Sequence, residues 1–291
     1  MSKLHQVALG VCLLNAHTVI IANDSQSLPN NAPSIRVFSE QEQKDTRKHW
    51  IQEHKKRPPQ KGVPEPADDL EYPFNVIGRI IGNLDGKPLE CTGQFFGDPQ
   101  LVLTAAHCVR NPTTGDFATD VMFVRAYKEE EGDVFDVECM LHNPHWYPPQ
   151  TKDKLNIQDD YAFMRTKEPS GYGYLNKGDP MPPYKAVTAV GYPANYGQGE
   201  VMYKVDGEIS KIENNEQTMT NNPFGDGASG GAWIFNPQTP SVASEDPENI
   251  VVGLFSASDT QKPNESISAL LTVPGFNELF KQALQGCNPQ P

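Results

Sequence analysis

The run Leu101-Val102-Leu103-Thr104-Ala105-Ala106-His107-Cys108-Val109 holds the first of two informative motifs in this chain. Its apolar start is typical of a short buried strand. Small residues then lead to His107, beside a cysteine that a disulfide can tie down. Far along the chain, Gly227-Ala228-Ser229-Gly230-Gly231 places a serine in a run of glycines. Backbone N–H groups can crowd around a reacting oxygen there.

A third motif lies between the first two and supplies an acid. Asp159-Asp160-Tyr161-Ala162 opens an apolar stretch. A serine hydroxyl is a weak nucleophile at neutral pH and needs a base within hydrogen-bond reach, which an acid in turn orients. Each motif alone is ordinary loop or strand chemistry. The three together, in the order His, Asp, Ser, predict nucleophilic catalysis at Ser229 with His107 as the base.

These motifs and several others resemble the trypsin-like serine proteases, particularly the bacterial glutamyl-endopeptidase-like branch. The resemblance covers about residues 72 to 285, and its motifs are most specific around His107 and Ser229. The segments that carry it are Tyr72–Arg79, Cys91–Phe96, Leu101–Val109, His142–Trp146, Asp160–Ala162, Gly191–Pro193, Gly227–Gly231 and Val252–Ser256. The resemblance implies an all-β fold of two six-stranded antiparallel β-barrels (chymotrypsin-like) with a C-terminal α-helix.

Composition and pattern agree with that fold. The 291 residues include 23 glycines and 26 prolines, which separate short apolar runs and favour all-β structure. A helical period of apolar residues follows Pro274 and ends before Gly286. We therefore expect a protease domain at 71–291, with a first barrel over about 71–175, a second over about 176–272, and the helix at 274–286.

The first 70 residues are predicted to lie outside that domain. Residues 1–22 read as an export signal, because Lys3 precedes an apolar stretch that is too short and broken for a stable membrane span. A packed or disordered N-terminus of a cytosolic protein is the alternative. Residues 23–70 are charged and Pro-rich, which fits either a prosegment removed on maturation or a permanent polar extension. The signal predicts a secreted or periplasmic protein.

The cysteines point to an oxidising compartment. In the family that the chain resembles, cysteines placed like Cys91 and Cys108 form a disulfide that fixes the histidine loop. Excluding Cys12, which lies in the predicted export signal, that leaves Cys139 to pair with Cys287, although connectivity cannot be read from sequence. Cys139, His142 and His145 also imitate a metal-ligand spacing. Three ligands are too few for a structural zinc site, so we predict no metal.

The resemblance implies a role for each site residue. His107 takes the proton from the Ser229 hydroxyl, and Asp160 accepts a hydrogen bond from the other imidazole nitrogen. Asp159 is the alternative acid, but the family places its acid directly before a large residue and an alanine. The backbone N–H groups of Gly227 and Ser229 are expected to bind the oxyanion. No metal or organic cofactor is required.

One position departs from the pattern of trypsin and its close relatives. They carry an aspartate immediately before the serine, and it pairs with a newly cut N-terminus. This chain has Ala228 there, which cannot form an ion pair. Zymogen activation is therefore not expected to act through this residue. Either the oxyanion turn is formed from the start or the N-terminus is tied elsewhere.

The substrate pocket is the least determined part of the prediction. Family spacing places Pro223 and Phe224 near its base, and Ser256-Ala257-Ser258 along one wall, where the backbone pairs with substrate as an added strand. No acid occupies the base position, which argues against Lys or Arg before the cut. Phe255 replaces the histidine of glutamate-cutting relatives. We expect a small or apolar residue instead.

Charge and motif order narrow the function. The net charge of −13 repels nucleic acid. The expected partners are protein or peptide substrates of a monomeric secreted serine endopeptidase. A catalytically inactive protease homologue that acts as a binding protein is the alternative. An esterase fits poorly, because its usual serine elbow precedes the histidine in an α/β chain.

Overall fold

The computed structural model describes residues 34–39, 41–42, 64–146, 156–178, 186–237, 249–259 and 261–288. The predicted signal at 1–22 lies outside the described residues, as does most of 23–70. Within the described part, no helix is long and apolar enough to cross a lipid bilayer.

Sixteen strands and one α-helix are found in the described residues. The strands are β1 (Ser34–Val37), β2 (Glu65–Pro66), β3 (Ile77–Leu84), β4 (Lys87–Phe95), β5 (Leu101–Thr104), β6 (Thr119–Lys128), β7 (Glu131–His142), β8 (Ala162–Thr166), β9 (Asn176–Lys177), β10 (Ala186–Gly191), β11 (Tyr203–Glu213), β12 (Glu216–Thr220), β13 (Ala232–Phe235), β14 (Ile250–Leu254), β15 (Ala257–Asp259) and β16 (Lys262–Ala269). The helix is α1 (Pro274–Leu284). The all-β prediction with a C-terminal helix is confirmed.

The first barrel is a closed six-stranded sheet. Its strands follow the order β7-β6-β3-β4-β5-β8, and antiparallel pairing of β7 with β8 closes the ring. β5 is buried over its whole length, as its apolar sequence predicts. Phe95, Phe123 and Phe135 meet edge to face inside, with Phe95 about 5.1 Å from each of the other two ring centres.

The second sheet has a six-stranded core in the order β16-β12-β11-β10-β13-β14. A side-chain hydrogen bond joins its two outer strands, β14 and β16: the Ser268 hydroxyl accepts the Leu254 N–H at 2.8 Å. Trp233, Met219 and Phe224 are fully buried in its interior. Three further strands extend this sheet: β15 beside β16, β9 parallel to β14, and β2 beside β11.

Two segments of the predicted prosegment or extension take part in these sheets. β1 pairs with β7 from Ser34 opposite His142 to Val37 opposite Cys139. β2 pairs with β11, and the Ala67 N–H bonds the Met202 carbonyl at 2.9 Å. No alternating apolar pattern marks either strand, since each is only two to four residues long.

α1 starts at Pro274, where the missing N–H costs nothing, and ends before Gly286 at a φ of 96°. It buries Phe276, Leu279 and Ala283 against the first barrel, so the C-terminal helix packs on the barrel that comes first in the sequence. The ring of Phe276 lies 5.3 Å from Tyr161 and 6.0 Å from Phe96.

The structure contains two disulfides, Cys91–Cys108 and Cys139–Cys287. The first joins the middle of β4 to the short helical turn Ala106–Cys108 that carries His107. The second joins β7 to the residues after α1 and closes a sequence separation of 148. Cys139 is thus not a free thiolate, and the metal-like spacing with His142 and His145 has no sulfur ligand.

Removing the Cys139–Cys287 disulfide is expected to lower the free energy of unfolding more than removing Cys91–Cys108. In the chain-entropy model the stabilisation grows with loop length, giving about 5 kcal/mol for the long loop and about 3 kcal/mol for the short one. Urea unfolding of the Cys139→Ala/Cys287→Ala and Cys91→Ala/Cys108→Ala proteins measures both. The reverse ranking, or an unchanged midpoint for the long-loop variant, would contradict this expectation.

Candidate active site

His107 lies at the end of β5 and is paired with Asp160. The short helical turn Ala106–Cys108 follows β5, and Asp160 directly precedes β8, the strand that pairs with β5. Asp160 is fully buried and accepts two bonds: the His107 backbone N–H at 2.9 Å and His107 Nδ1 at 2.8 Å. Neighbouring strands in the first barrel therefore place this pair.

Asp159 is directed elsewhere. Its carboxylate accepts the Asn143 side-chain amide at 2.8 Å and the Asn156 amide at 3.1 Å. Of the two adjacent acids, it is Asp160 that contacts the imidazole.

The pKa of His107 is raised above its ordinary value by its acidic neighbours. Burial lowers it, but the charge and hydrogen bond of Asp160 and the charge of Asp226 together outweigh burial. Nδ1 donates to the carboxylate, which leaves the lone pair of Nε2 free for a proton. The imidazole is 20 % exposed.

His142 behaves differently. Burial is the largest effect and lowers its pKa to about 4, although the hydrogen bond with the Asn143 carbonyl raises this pKa. The charge of Arg110 is the smallest of the three effects and also lowers it. Nδ1 lies 2.8 Å from that carbonyl and Nε2 lies 2.9 Å from Arg110 Nη1. Both ring nitrogens are occupied, so His142 is a structural histidine.

The backbone around Ser229 has a specific hydrogen-bond pattern. The carbonyls of residues 226 to 229 each accept a hydrogen bond. Ala194 N–H donates to Asp226 at 2.6 Å, and Gly231 N–H donates to Ala228 at 2.9 Å. Thr92 donates from its hydroxyl to Gly227 and from its N–H to Ser229, both at 2.8 Å. The N–H groups of Ala228 and Gly230 donate to the carbonyls of Gly225 and Phe255.

Three N–H groups of this turn, those of Asp226, Gly227 and Ser229, have no acceptor among the described residues, although nearly all buried backbone donors are paired in proteins. Asp226 is exposed, so water can accept its N–H. Gly227 has a φ of 86°, and a side chain there would collide with the Tyr192 carbonyl. Both oxyanion donors predicted from the sequence are therefore free of an acceptor in the described part of the chain.

The turn and the histidine segment are in direct contact across the two barrels. Gly230 has a φ of 82°, and a Cβ there would overlap the Thr104 hydroxyl and lie 2.9 Å from the Ala105 nitrogen. The Gln94 side-chain amide donates to the carbonyls of Leu103 and Gly230, at 2.8 Å and 3.1 Å. This packing holds the turn that carries Ser229 against the end of β5, the strand that leads to His107.

A metal is not supported at this position. The ligand atoms of Cys91, His107 and Cys108 lie within 4.8 Å of one another. Both sulfurs belong to the disulfide, however, and a metal requires thiolates.

The residues predicted for the substrate pocket also lie together. The Ser258 hydroxyl donates to the Phe224 carbonyl at 3.0 Å, and the Pro223 carbonyl accepts the Asn195 amide at 2.9 Å. Phe224 is 1 % exposed, and its ring lies 6.2 Å from Tyr196. Ala257 pairs with Ile267 of β16.

Ser256 and Ser266 share one property on these strands. Both hydroxyls are buried with no hydrogen-bond partner among the described residues. Ser266 lies opposite Ser258 in the β15–β16 pairing.

The model of the trypsin-like peptidase domain family matches residues 91–239, just over half of the chain. The chain belongs to the trypsin-like peptidase family. Comparison with curated proteins gave no match.

Several solved structures share the fold. A thermostable serine protease, AL20, from an extremophilic microorganism has 20% identity and a TM-score of 0.62, over 73% of this chain and 98% of that one. A Glu endopeptidase has 18% identity and a TM-score of 0.58, over 77% and 97%. Human heparin binding protein has 14% identity and a TM-score of 0.55, over 80% and 98%.

Several residues of the peptidase site were not predicted from sequence. Thr92, Gln94 and Asn195 reach the turn only through long-range packing, and no local motif marks them. Asp226 carried a signal that was overlooked, since it is an acid directly before the glycine predicted to bind the oxyanion.

Replacing Asp226 with asparagine is expected to lower the pKa of His107. The carboxylate of this exposed residue favours the imidazolium, so its removal shifts the equilibrium towards the neutral ring. NMR titration of the His107 imidazole protons measures the shift. Asp85→Asn, the same change in the exposed β3–β4 turn, is the control and should leave the titration unchanged. An equal or higher pKa in Asp226→Asn would show that its charge does not act on His107.

Proposed function

We propose that this trypsin-like peptidase is an endopeptidase that cleaves peptide bonds through Ser229, His107 and Asp160. The observation that carries the proposal is the hydrogen bond from His107 to the buried Asp160 carboxylate, together with a serine turn in which the Gly227 and Ser229 N–H groups have no acceptor among the described residues. Nucleophile, base and anion site are the three parts that acyl transfer requires.

In the proposed reaction, the Ser229 hydroxyl oxygen attacks the substrate carbonyl and His107 Nε2 takes the hydroxyl proton. Asp160 holds Nδ1–H, which fixes the tautomer and stabilises the charged ring. The proton then passes to the leaving amine as the C–N bond breaks and an acyl-enzyme forms. Water, deprotonated by His107, hydrolyses the ester and regenerates the serine.

The N–H groups of Gly227 and Ser229 are proposed to bind the oxyanion of each tetrahedral intermediate. Donors that are aligned in advance need no reorganisation as charge develops. Losing one such donor typically costs about 3 to 4 kcal/mol of transition-state stabilisation. The φ of 86° at Gly227 makes glycine the residue of choice there.

The proposed substrate has a small or apolar side chain before the cut. Phe224 and Phe255 are both buried in the core of the second sheet. The family resemblance places Phe224 near the pocket base, where there is no acid, and Phe255 where glutamate-cutting relatives carry a histidine. A charged substrate side chain would be desolvated against such a surface without a counter-ion.

A secreted or periplasmic location is also proposed. The two disulfides are compatible with an oxidising compartment. The charged Lys3 and the apolar stretch after it support an export signal at 1–22, and a removable prosegment within 23–70 stays a proposal.

Labelling with a fluorophosphonate, a reagent that phosphonylates activated serines, tests the nucleophile. We expect the label on Ser229 and a fall in peptide hydrolysis of about 10⁴-fold or more in Ser229→Ala. Ser210→Ala, an exposed serine on β11, is the matched control and should retain both. A folded wild-type protein that takes no label would instead be an inactive homologue that acts by binding.

Matched peptides that differ only in the residue before the cut test the pocket. We expect methionine to be preferred over lysine, and glutamine over glutamate, by about 100-fold or more in kcat/KM, because each charged form leaves a buried charge unpaired. Mass spectrometry of cleaved peptide mixtures gives the ratios. Preferred cleavage after lysine or glutamate would refute the assignment of Phe224 and Phe255 to the pocket.

A further inference from the structure

The turn that carries Ser229 has no charged anchor at position 228. Ala228 is fully buried in the apolar core of the second sheet, beside residues such as Trp233 and Phe255. A methyl group there makes no hydrogen bond and no ion pair. The orientation of the turn must therefore depend on other contacts.

The first contact comes from Thr92 on β4, in the other barrel. Its hydroxyl donates to the Gly227 carbonyl at 2.8 Å and accepts the Tyr192 N–H at 3.0 Å. The side chain is fully buried, so water does not compete for either bond. One hydroxyl thus bridges the serine turn and the segment that begins at Tyr192.

The second contact comes from that same segment. Asn195 donates from Nδ2 to the Pro223 carbonyl and accepts the Gly225 N–H at Oδ1, both at 2.9 Å. Its two backbone partners fix which way the amide faces. The preceding residue, Ala194, donates its N–H to the Asp226 carbonyl at 2.6 Å.

We propose that Thr92 and Asn195 are positioning residues that hold the turn 223–229 in a catalytically ready form without a charged partner. The Asp226–Gly227 peptide is trans, so its carbonyl and N–H point in opposite directions. Because Ala194 binds the carbonyl, the Gly227 N–H points away from the 192–196 segment and is available to an oxyanion. Rotating this peptide would break the Ala194 bond and strain those of Asn195 and Thr92.

This inference rests on the proposed function, since it assigns Thr92 and Asn195 to the oxyanion site of Ser229. It also removes the need for a free α-amino group at the turn. A chain that retains residues upstream of the first barrel is therefore expected to have the same turn as a shortened one.

Thr92→Val, compared with Thr92→Ser, tests the first contact. Valine keeps the shape and loses the hydroxyl, and serine keeps the hydroxyl. We expect kcat to fall by about tenfold to 100-fold in Thr92→Val with KM within about threefold, and kcat in Thr92→Ser to stay within about threefold of wild type. Affinity for a peptide aldehyde, which forms a tetrahedral adduct with an oxyanion, should fall in parallel with kcat/KM. Affinity for the product peptide should not change.

Asn195→Ala tests the second contact, with Asn176→Ala as the control. Both asparagines are exposed, so neither change removes core packing. We expect Asn195→Ala to lose kcat and aldehyde affinity in the same pattern as Thr92→Val, and Asn176→Ala to retain both.

Amide hydrogen exchange of the peptide spanning 223–229 gives a readout that does not depend on activity. All proteins compared carry Ser229→Ala. Exchange should be faster when Thr92→Val or Asn195→Ala is added than in Ser229→Ala alone or with Thr92→Ser or Asn176→Ala added. Unchanged exchange in both test variants would overturn the inference, as would equal kcat losses in Thr92→Val and Thr92→Ser. A wild type without fluorophosphonate labelling refutes the proposed function instead, and exchange still decides whether the turn is held in this way.

Discussion

Thr92 links the two halves of the candidate site through three hydrogen bonds. Its N–H binds the Ser229 carbonyl, its hydroxyl binds the Gly227 carbonyl, and its own carbonyl accepts the Thr104 hydroxyl at 2.9 Å. The next-door Cys91 is joined by a disulfide to Cys108, beside His107. The relative position of His107 and Ser229 therefore depends on how the middle of β4 packs between β5 and the serine turn.

The pairing of strands in the first barrel explains why much of the site could be predicted. His107 follows β5 and Asp160 precedes β8, and these strands are neighbours, so two local motifs meet by pairing alone. The choice of Asp160 over Asp159 came from the residues after it, Tyr161 and Ala162. Buried strands have strong local patterns, and so does a helix bounded by Pro274 and Gly286, which is why the all-β class and α1 were predictable.

What could not be predicted has a common physical origin. Thr92 and Asn195 act on residues 135 and 30 positions away along the chain, so both contacts depend on tertiary packing. An isolated hydrogen bond of this kind produces no periodic pattern of apolar and polar residues in the sequence. β1 and β2 have the same limitation, because their edge pairing uses backbone groups that every residue carries.

The disulfide between Cys139 and Cys287 closes a large covalent loop in the chain. About half of the polypeptide lies inside the loop that these sulfurs close. A single backbone cut anywhere within it yields two segments that remain one molecule until the disulfide is reduced. Such a cut produces a nick rather than the loss of a fragment. Self-digestion within this loop would accordingly release separate fragments only after reduction.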